Sequence, residues 1–162
     1  MKLKINLFIF LLLFLTSCTS FLKDGKLPGI GTELTTLKEF KPEGMEKFSY
    51  KLKDPYIVPE KEREVFKNTL ETTLREKNIF RTDSNLVLEI TFEEYFMRNA
   101  SSRLMVGALA GTDNITSSVI IKNKENGQVL GQFKVISKNP TALGSKNSLI
   151  QEHVDKISSF LQ

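Results

Sequence analysis

Residues 115–137 read ITSSVIIKNKENGQVLGQFKVIS, two β-rich runs with Asn126-Gly127 between them. Val, Ile, Thr and Phe alternate with polar residues on both sides of that dipeptide. Asn-Gly supplies both positive φ angles of a type I′ turn, the strongest short-range hairpin signal. The stretch is therefore expected to form a β-hairpin with strands at about Ile115–Lys124 and Gln128–Ser137. A hairpin alone is marginal in water, so the rest of the chain must supply its partners.

Upstream, NLVLEITFEEYF (residues 85–96) is the clearest single strand. Leu86, Leu88, Ile90 and Phe92 fall on one side. Glu89, Thr91 and Glu93 fall on the other, joined by Val87 and Tyr95. That is the pattern of an antiparallel sheet with one wet face. FSYKLK (48–53) also alternates, with Phe48, Tyr50 and Leu52 against Ser49, Lys51 and Lys53, and Asp54-Pro55 ends it. Pro59 then marks the first helical position, with Glu60, Glu62 and Glu64 in or near the first turn. Val65, Phe66, Leu70 and Leu74 share one helical face, and Asn78 suits a left-handed stop.

The chain ends in SKNSLIQEHVDKISSFLQ (145–162). Leu149, Ile150, Val154, Ile157 and Leu161 form the apolar face of a second helix, with Phe160 adding to it and His153 at its margin. Ser145 or Asn147 caps its start. The predicted order is β-α-β-β-β-α, an α+β class chain. Its expected architecture is a two-layer sandwich, a mixed four-stranded sheet with two helices on one face. The first strand-helix-strand is expected to be a right-handed crossover.

The N-terminus carries an address. Lys2 and Lys4 precede an apolar run from Leu7 to Leu15, and Leu15-Thr16-Ser17-Cys18 follows. A basic start, an apolar stretch of about 7–15 residues and small residues at the break define a secretory signal. The run is far short of the roughly 20 residues of a membrane-spanning helix. Its last four residues resemble a bacterial lipobox. That resemblance implies cleavage before Cys18 and attachment of lipid, palmitate-type chains included, to its sulfur. Several acyl chains hold a protein permanently where one does not. Thr19, rather than Asp, follows the cysteine, which favours the outer membrane in a diderm host. Cys18 is the only cysteine, so no disulfide forms within the chain.

The organisation expected is a signal peptide at 1–17, a lipidated tether at 18–44 and one α+β domain at 45–162. The tether is punctuated by KLPGIGTE and KPEG, with a short ordered piece around Leu34–Phe40. As a flexible chain it reaches about 25–30 Å. Cleavage removes Lys2 and Lys4 and lowers the formal net charge from +4 to +2. Acids and bases are interspersed, so there is no concentrated basic face for nucleic acid.

Catalytic and cofactor signatures are absent from the sequence. One histidine and a lipid-assigned cysteine do not supply a zinc set, and there is no H-E-x-x-H, P-loop or dinucleotide fingerprint. Glu93 and Glu94 are strand neighbours, expected to point to opposite faces and so not to act as a carboxylate pair. No catalytic, metal or cofactor residue is assigned.

Between the long strand and the hairpin lies RNASSRLMVGALAGTDN (98–114), apolar, small-rich and poorly periodic. Here the chain resembles a bacterial lipoprotein family, domain of unknown function 4410. That family has a strand, an Arg, three residues, a Gly-rich stretch and then a strand-turn-strand. The matching residues are Arg103, Gly107, Gly111 and Gly127, and the resemblance runs from about Phe48 to Phe160. Leu109 stands where the family often has a further glycine. The resemblance implies an envelope lipoprotein domain and no particular activity. Arg103, Leu104, Gly107, Leu109 and Gly111 form a candidate contact segment, since Leu104, Met105, Val106 and Leu109 make an apolar patch if exposed. A bulged strand or strand connection is the alternative.

The expected function is that of a membrane-anchored envelope lipoprotein. It would be non-enzymatic and work by contact with envelope proteins. Binding of a small ligand or of the cell wall is the alternative.

Overall fold

The computed structural model describes residues 31–42, 44–53, 57–99, 111–141 and 145–162. Asp54-Pro55, the expected end of the first strand, lies outside them. Among these residues, five strands and two helices follow in the order β-β-α-β-β-β-α. The strands are β1 (Gly31–Lys38), β2 (Phe48–Lys53), β3 (Leu86–Phe96), β4 (Asp113–Asn123) and β5 (Val129–Asn139). The helices are α1 (Glu60–Glu76) and α2 (Lys146–Ser159). The sheet order is β1-β5-β4-β3-β2. Only β2 and β3 pair in parallel, as the intervening helix requires; the other pairs are antiparallel.

The α+β class, the mixed sheet and the two helices are as expected, but the sheet has five strands, not four. The fifth, β1, comes from the stretch read as tether. It pairs with β5 from Gly31↔Lys138 to Lys38↔Gln132, with an irregularity between Thr36 and Lys38. That irregularity hides it in sequence. Leu34 packs against the core, whereas Leu37 is 57% exposed, so the two leucines show no period of two.

Both helices cover one face of the sheet. The Phe66 ring of α1 meets Phe92 of β3 edge-on at 4.9 Å, and Phe160, just past α2, lies 4.1 Å from Phe133 of β5. Phe48, Leu70, Leu74, Leu88, Ile90, Ile115, Val119, Val135 and Val154 fill the layer between without measurable exposure. The helices run side by side in the same direction, joined by Lys146–Glu62, Gln151–Thr73 and Lys77–Gln162.

The helix ends follow their residues. Pro59 is the residue before α1 rather than its first. Its ψ of 145° is non-helical. Asn78 takes φ +57°, the left-handed stop. Ser145 caps α2 in a reciprocal box with Ser148, each side chain accepting from the other's backbone N–H.

The hairpin forms, but not on a type I′ turn. Gly127 has φ +72° while Asn126 stays at negative φ. The loop spans Lys124–Gln128 and closes with Gly127 N–H donating to the Asn123 carbonyl at 2.9 Å. Asn123 and Asn126 each accept, through Oδ1, from the N–H two residues on. These local bonds favour a longer loop with a single left-handed glycine over the two-residue turn. Gly131 is required for a different reason. A Cβ there would sit 2.7 Å from the Cβ of Phe40.

Candidate functional site: the two faces and the end of the sheet

A strand that alternates sends every second side chain away from the helices. On β4 and β5 these are Asn114, Thr116, Ser118, Ile120 and Lys122, and Gln132, Lys134, Ile136 and Lys138. No helix covers this outer face among the described residues. Several of its charges meet an opposite one. Glu89 lies between Lys53 at 2.9 Å and Lys122 at 2.5 Å. Partial burial is the largest single influence on the Glu89 carboxyl and pushes its pKa up. The hydrogen bonds from Lys122 and Lys53 together overcome it and hold the pKa below the usual value.

The register of β3 on β4 shifts between Phe92 and Glu94, making Glu93 the extra residue of a bulge. Two expectations fail there. Glu93 and Glu94 do not point to opposite faces. Glu93 meets Lys134 at 2.7 Å and Glu94 accepts from Asn114 and Thr116, all on the outer face. Tyr95 turns inward instead, opposite the buried Ile115. Its hydroxyl is buried without a hydrogen-bond partner among the described residues. Burial, then the charges of Glu62 and Asp113, push its pKa upward.

On the helix side, His153 is fully buried rather than marginal. Its Nε2 lies 2.7 Å from Ser117 Oγ and its Nδ1 2.8 Å from Ser137 Oγ, which in turn meets Thr32 Oγ1 at 2.9 Å. One polar chain thus ties α2 to β4, β5 and β1. Burial pushes the imidazole pKa down to about 3, so the ring is neutral, with one nitrogen donating and the other accepting. A serine and a histidine in contact suggest nucleophilic chemistry. With Ser117, Ser137 and His153 all without exposure, this cluster is a packing device.

At the end of the sheet where β3 leaves and β4 begins, Arg98 and Asp113 form a buried ion pair. Arg98 Nε donates to Oδ1 at 3.1 Å and Nη2 to Oδ2 at 3.3 Å. The Arg98 backbone N–H also donates to Oδ1, and Nη2 reaches the carbonyls of Asn139 and Thr141. The pair ties the ends of β3, β4 and β5 together. Sequence reasoning missed it, because two opposite charges at the ends of separate strands have no periodic signature.

Of the sequence-assigned residues, Cys18, Arg103, Leu104, Gly107 and Leu109 lie outside the described residues. Gly111 is described. It is exposed, has φ +90°, and a Cβ there would lie 3.7 Å from the Phe96 ring. At the opposite end of the sheet a groove of about 430 Å³ is lined by Glu39, Phe40, Lys41, Glu46, Leu86 and Leu130. Among the described residues no three His, Cys, Asp or Glu side chains gather to hold a metal ion, and no helix is long and apolar enough to cross a membrane.

A family model, Domain of unknown function (DUF4410), matches residues 53–144, more than half of the chain. This is the family whose resemblance the glycines and Arg103 carry. No curated protein sequence matches the chain. Among solved structures, a PelC dodecamer from Paraburkholderia phytofirmans aligns with a TM-score of 0.61 at 13% identity, covering 81% of this chain and 97% of that one. A point variant of the same dodecamer gives 0.60 at 14% identity with the same coverage. A PDZ domain protein from Parabacteroides distasonis ATCC 8503 aligns at 0.42 and 12% identity over 77% of this chain and 34% of that one. At such identities the PelC likeness is one of fold.

Proposed function

The chain belongs to the DUF4410 family, and from that premise we propose that it is a lipoprotein of the bacterial envelope, anchored through Cys18 and working by contact with other proteins rather than by catalysis. The observation that carries the contact reading is the outer sheet face. Ile120, Ile136 and Val87 are only half-buried there among polar and charged side chains, with no helix over them among the described residues. A face that mixes half-buried aliphatic side chains with polar and charged ones suits a protein partner. The basic, apolar and small-residue order ending in Leu15-Thr16-Ser17-Cys18 supports the anchor, and Thr19 favours the outer membrane in a diderm cell.

The test places a photo-crosslinking residue at Gln132, in the middle of this face, and another at the exposed Asn68 of α1. Specific adducts from intact cells at Gln132 and not at Asn68 support the reading. Equal or absent adducts from a folded protein end it. Cys18→Ala tests the anchor separately, since unchanged palmitate labelling of that variant is incompatible with it.

A second reading makes the partner another copy of this chain. It is favoured by the likeness of fold to PelC structures described as dodecamers, along 97% of that chain. Light scattering of the lipidated protein in detergent decides it: a monomer across the accessible concentration range removes this reading. Ligand or cell-wall binding, the alternative, would use the groove beside Phe40 and Leu86, and a thermal shift lost in Phe40→Ala would mark it.

A further inference from the structure

The register aligns four strand ends in one row. Phe96 lies opposite Asn114, Asn114 opposite Lys138, and Lys138 opposite Gly31. Gly31 is where the chain arrives from Cys18. Phe96 in this row is 53% exposed, and Ile57, between β2 and the start of α1, is 47% exposed. Glu62 in the first turn of α1 acts on Tyr95, one residue from Phe96, which puts the start of α1 at this same end. The Arg98–Asp113 pair braces it, and the exposed Lys138 adds a positive charge.

The far end also exposes apolar side chains, Leu37 at 57% and Met45 at 76%. Apolar exposure therefore does not choose between the two ends. The attachment does. Twelve residues, 19–30, separate Cys18 from Gly31. From Gly31 to Lys38 the sheet runs a further 23 Å or so toward the far end. Along the chain, the Gly31 end is therefore the nearer of the two to the anchored lipid.

We propose that the sheet end formed by Gly31, Lys138, Asn114 and Phe96 is a lipid-facing surface, with Phe96 and Ile57 resting at the headgroup level of the membrane that holds Cys18. The inference rests on the lipid-anchor reading given above. Phenylalanine is among the apolar residues that interfacial segments bury at the headgroup–acyl boundary. One half-exposed ring binds weakly on its own, but the anchor makes its encounter with the bilayer intramolecular and raises its effective concentration. Lys138 favours the anionic headgroups of the same surface.

Cys18 is the only cysteine, and lipid attachment consumes its thiol. Phe96→Cys, Ile57→Cys and Met45→Cys therefore each carry one free thiol for an environment-sensitive fluorophore. The full lipidated chains are placed in phosphatidylethanolamine–phosphatidylglycerol vesicles containing a nitroxide lipid, and flotation is read on the same samples. The expected result is flotation of all three, with blue-shifted emission at positions 96 and 57 and at least twice the quenching seen at position 45. Floating protein quenched at position 45 as much as at 96 overturns the lipid-facing surface while leaving the anchor in place. Protein that does not float overturns the anchor, and the lipid-facing surface with it.

Discussion

His153 sits between two sheet serines without exposure, and its ring is neutral there, with a pKa pushed down to about 3 by burial. In the unfolded chain the same ring titrates near 6.5. Between these values the unfolded state takes up a proton that the native state refuses. Stability therefore falls as the pH drops below about 6.5, by up to ~1.4 kcal/mol per unit, and the fall levels off near the folded pKa. Urea melts at pH 7.5 and pH 5 should show the loss, and His153→Gln, which has nothing to protonate, should flatten it. A wild-type midpoint equal at both pH values would contradict a neutral buried ring. Asp113 carries a second expectation. Asp113→Ala leaves the buried Arg98 guanidinium without its carboxylate, a change that costs about 3–5 kcal/mol when a buried pair loses one member. A chemical melt shifted by less than 1 kcal/mol would show that the guanidinium's remaining partners, the carbonyls of Asn139 and Thr141 among them, suffice. Neither residue announces this role in sequence. His153 lies on the edge of the α2 apolar arc, and only the sheet serines, aligned with it by the fold, show it to be central.

Among the elements, the legible ones were those whose side chains keep a strict period. β2, β3 as far as Phe92, the hairpin strands and both helices come close to that condition, and their apolar faces are the faces buried. Irregularities were illegible. The bulge at Glu93 moves Glu94 outward and Tyr95 inward, and no residue type there signals it. Asn126-Gly127 correctly marked a hairpin, yet the side chains of Asn123 and Asn126 settle a five-residue loop. This loop makes a prediction that the two-residue turn does not. Gly127→Val should destabilise by about 1–3 kcal/mol, since a β-branched residue resists φ +72°. Asn126→Ala should cost less than half as much, because only a side-chain bond to Gln128 N–H is lost. Equal losses in the two melts would restore the type I′ turn.

For the molecule as a whole, β1 decides where the folded domain begins. Sequence reading placed that start at residue 45, because the region before it is Gly- and Pro-punctuated and its leucines are out of phase. In the sheet, β1 covers the edge of β5, Leu34 packs on the core, and Thr32 completes the polar chain to His153 through Ser137. Phe40, just beyond β1, packs its ring edge-on against Phe48 at 5.7 Å. A chain beginning at residue 31 keeps all of these contacts and should therefore fold. A chain beginning at residue 45 exposes a long strand edge of β5, which invites pairing between copies. It also loses the part-buried Thr32 hydroxyl that bonds Ser137 and two apolar contacts. Each such loss costs on the order of 1 kcal/mol or more, so the shorter chain should lose several kcal/mol, aggregate on heating, or both. Urea melts and light scattering of the two fragments make the comparison. Equal midpoints and two monodisperse monomers would mean that β1 is an ornament on a domain that is complete without it, and would return residues 31–44 to the tether.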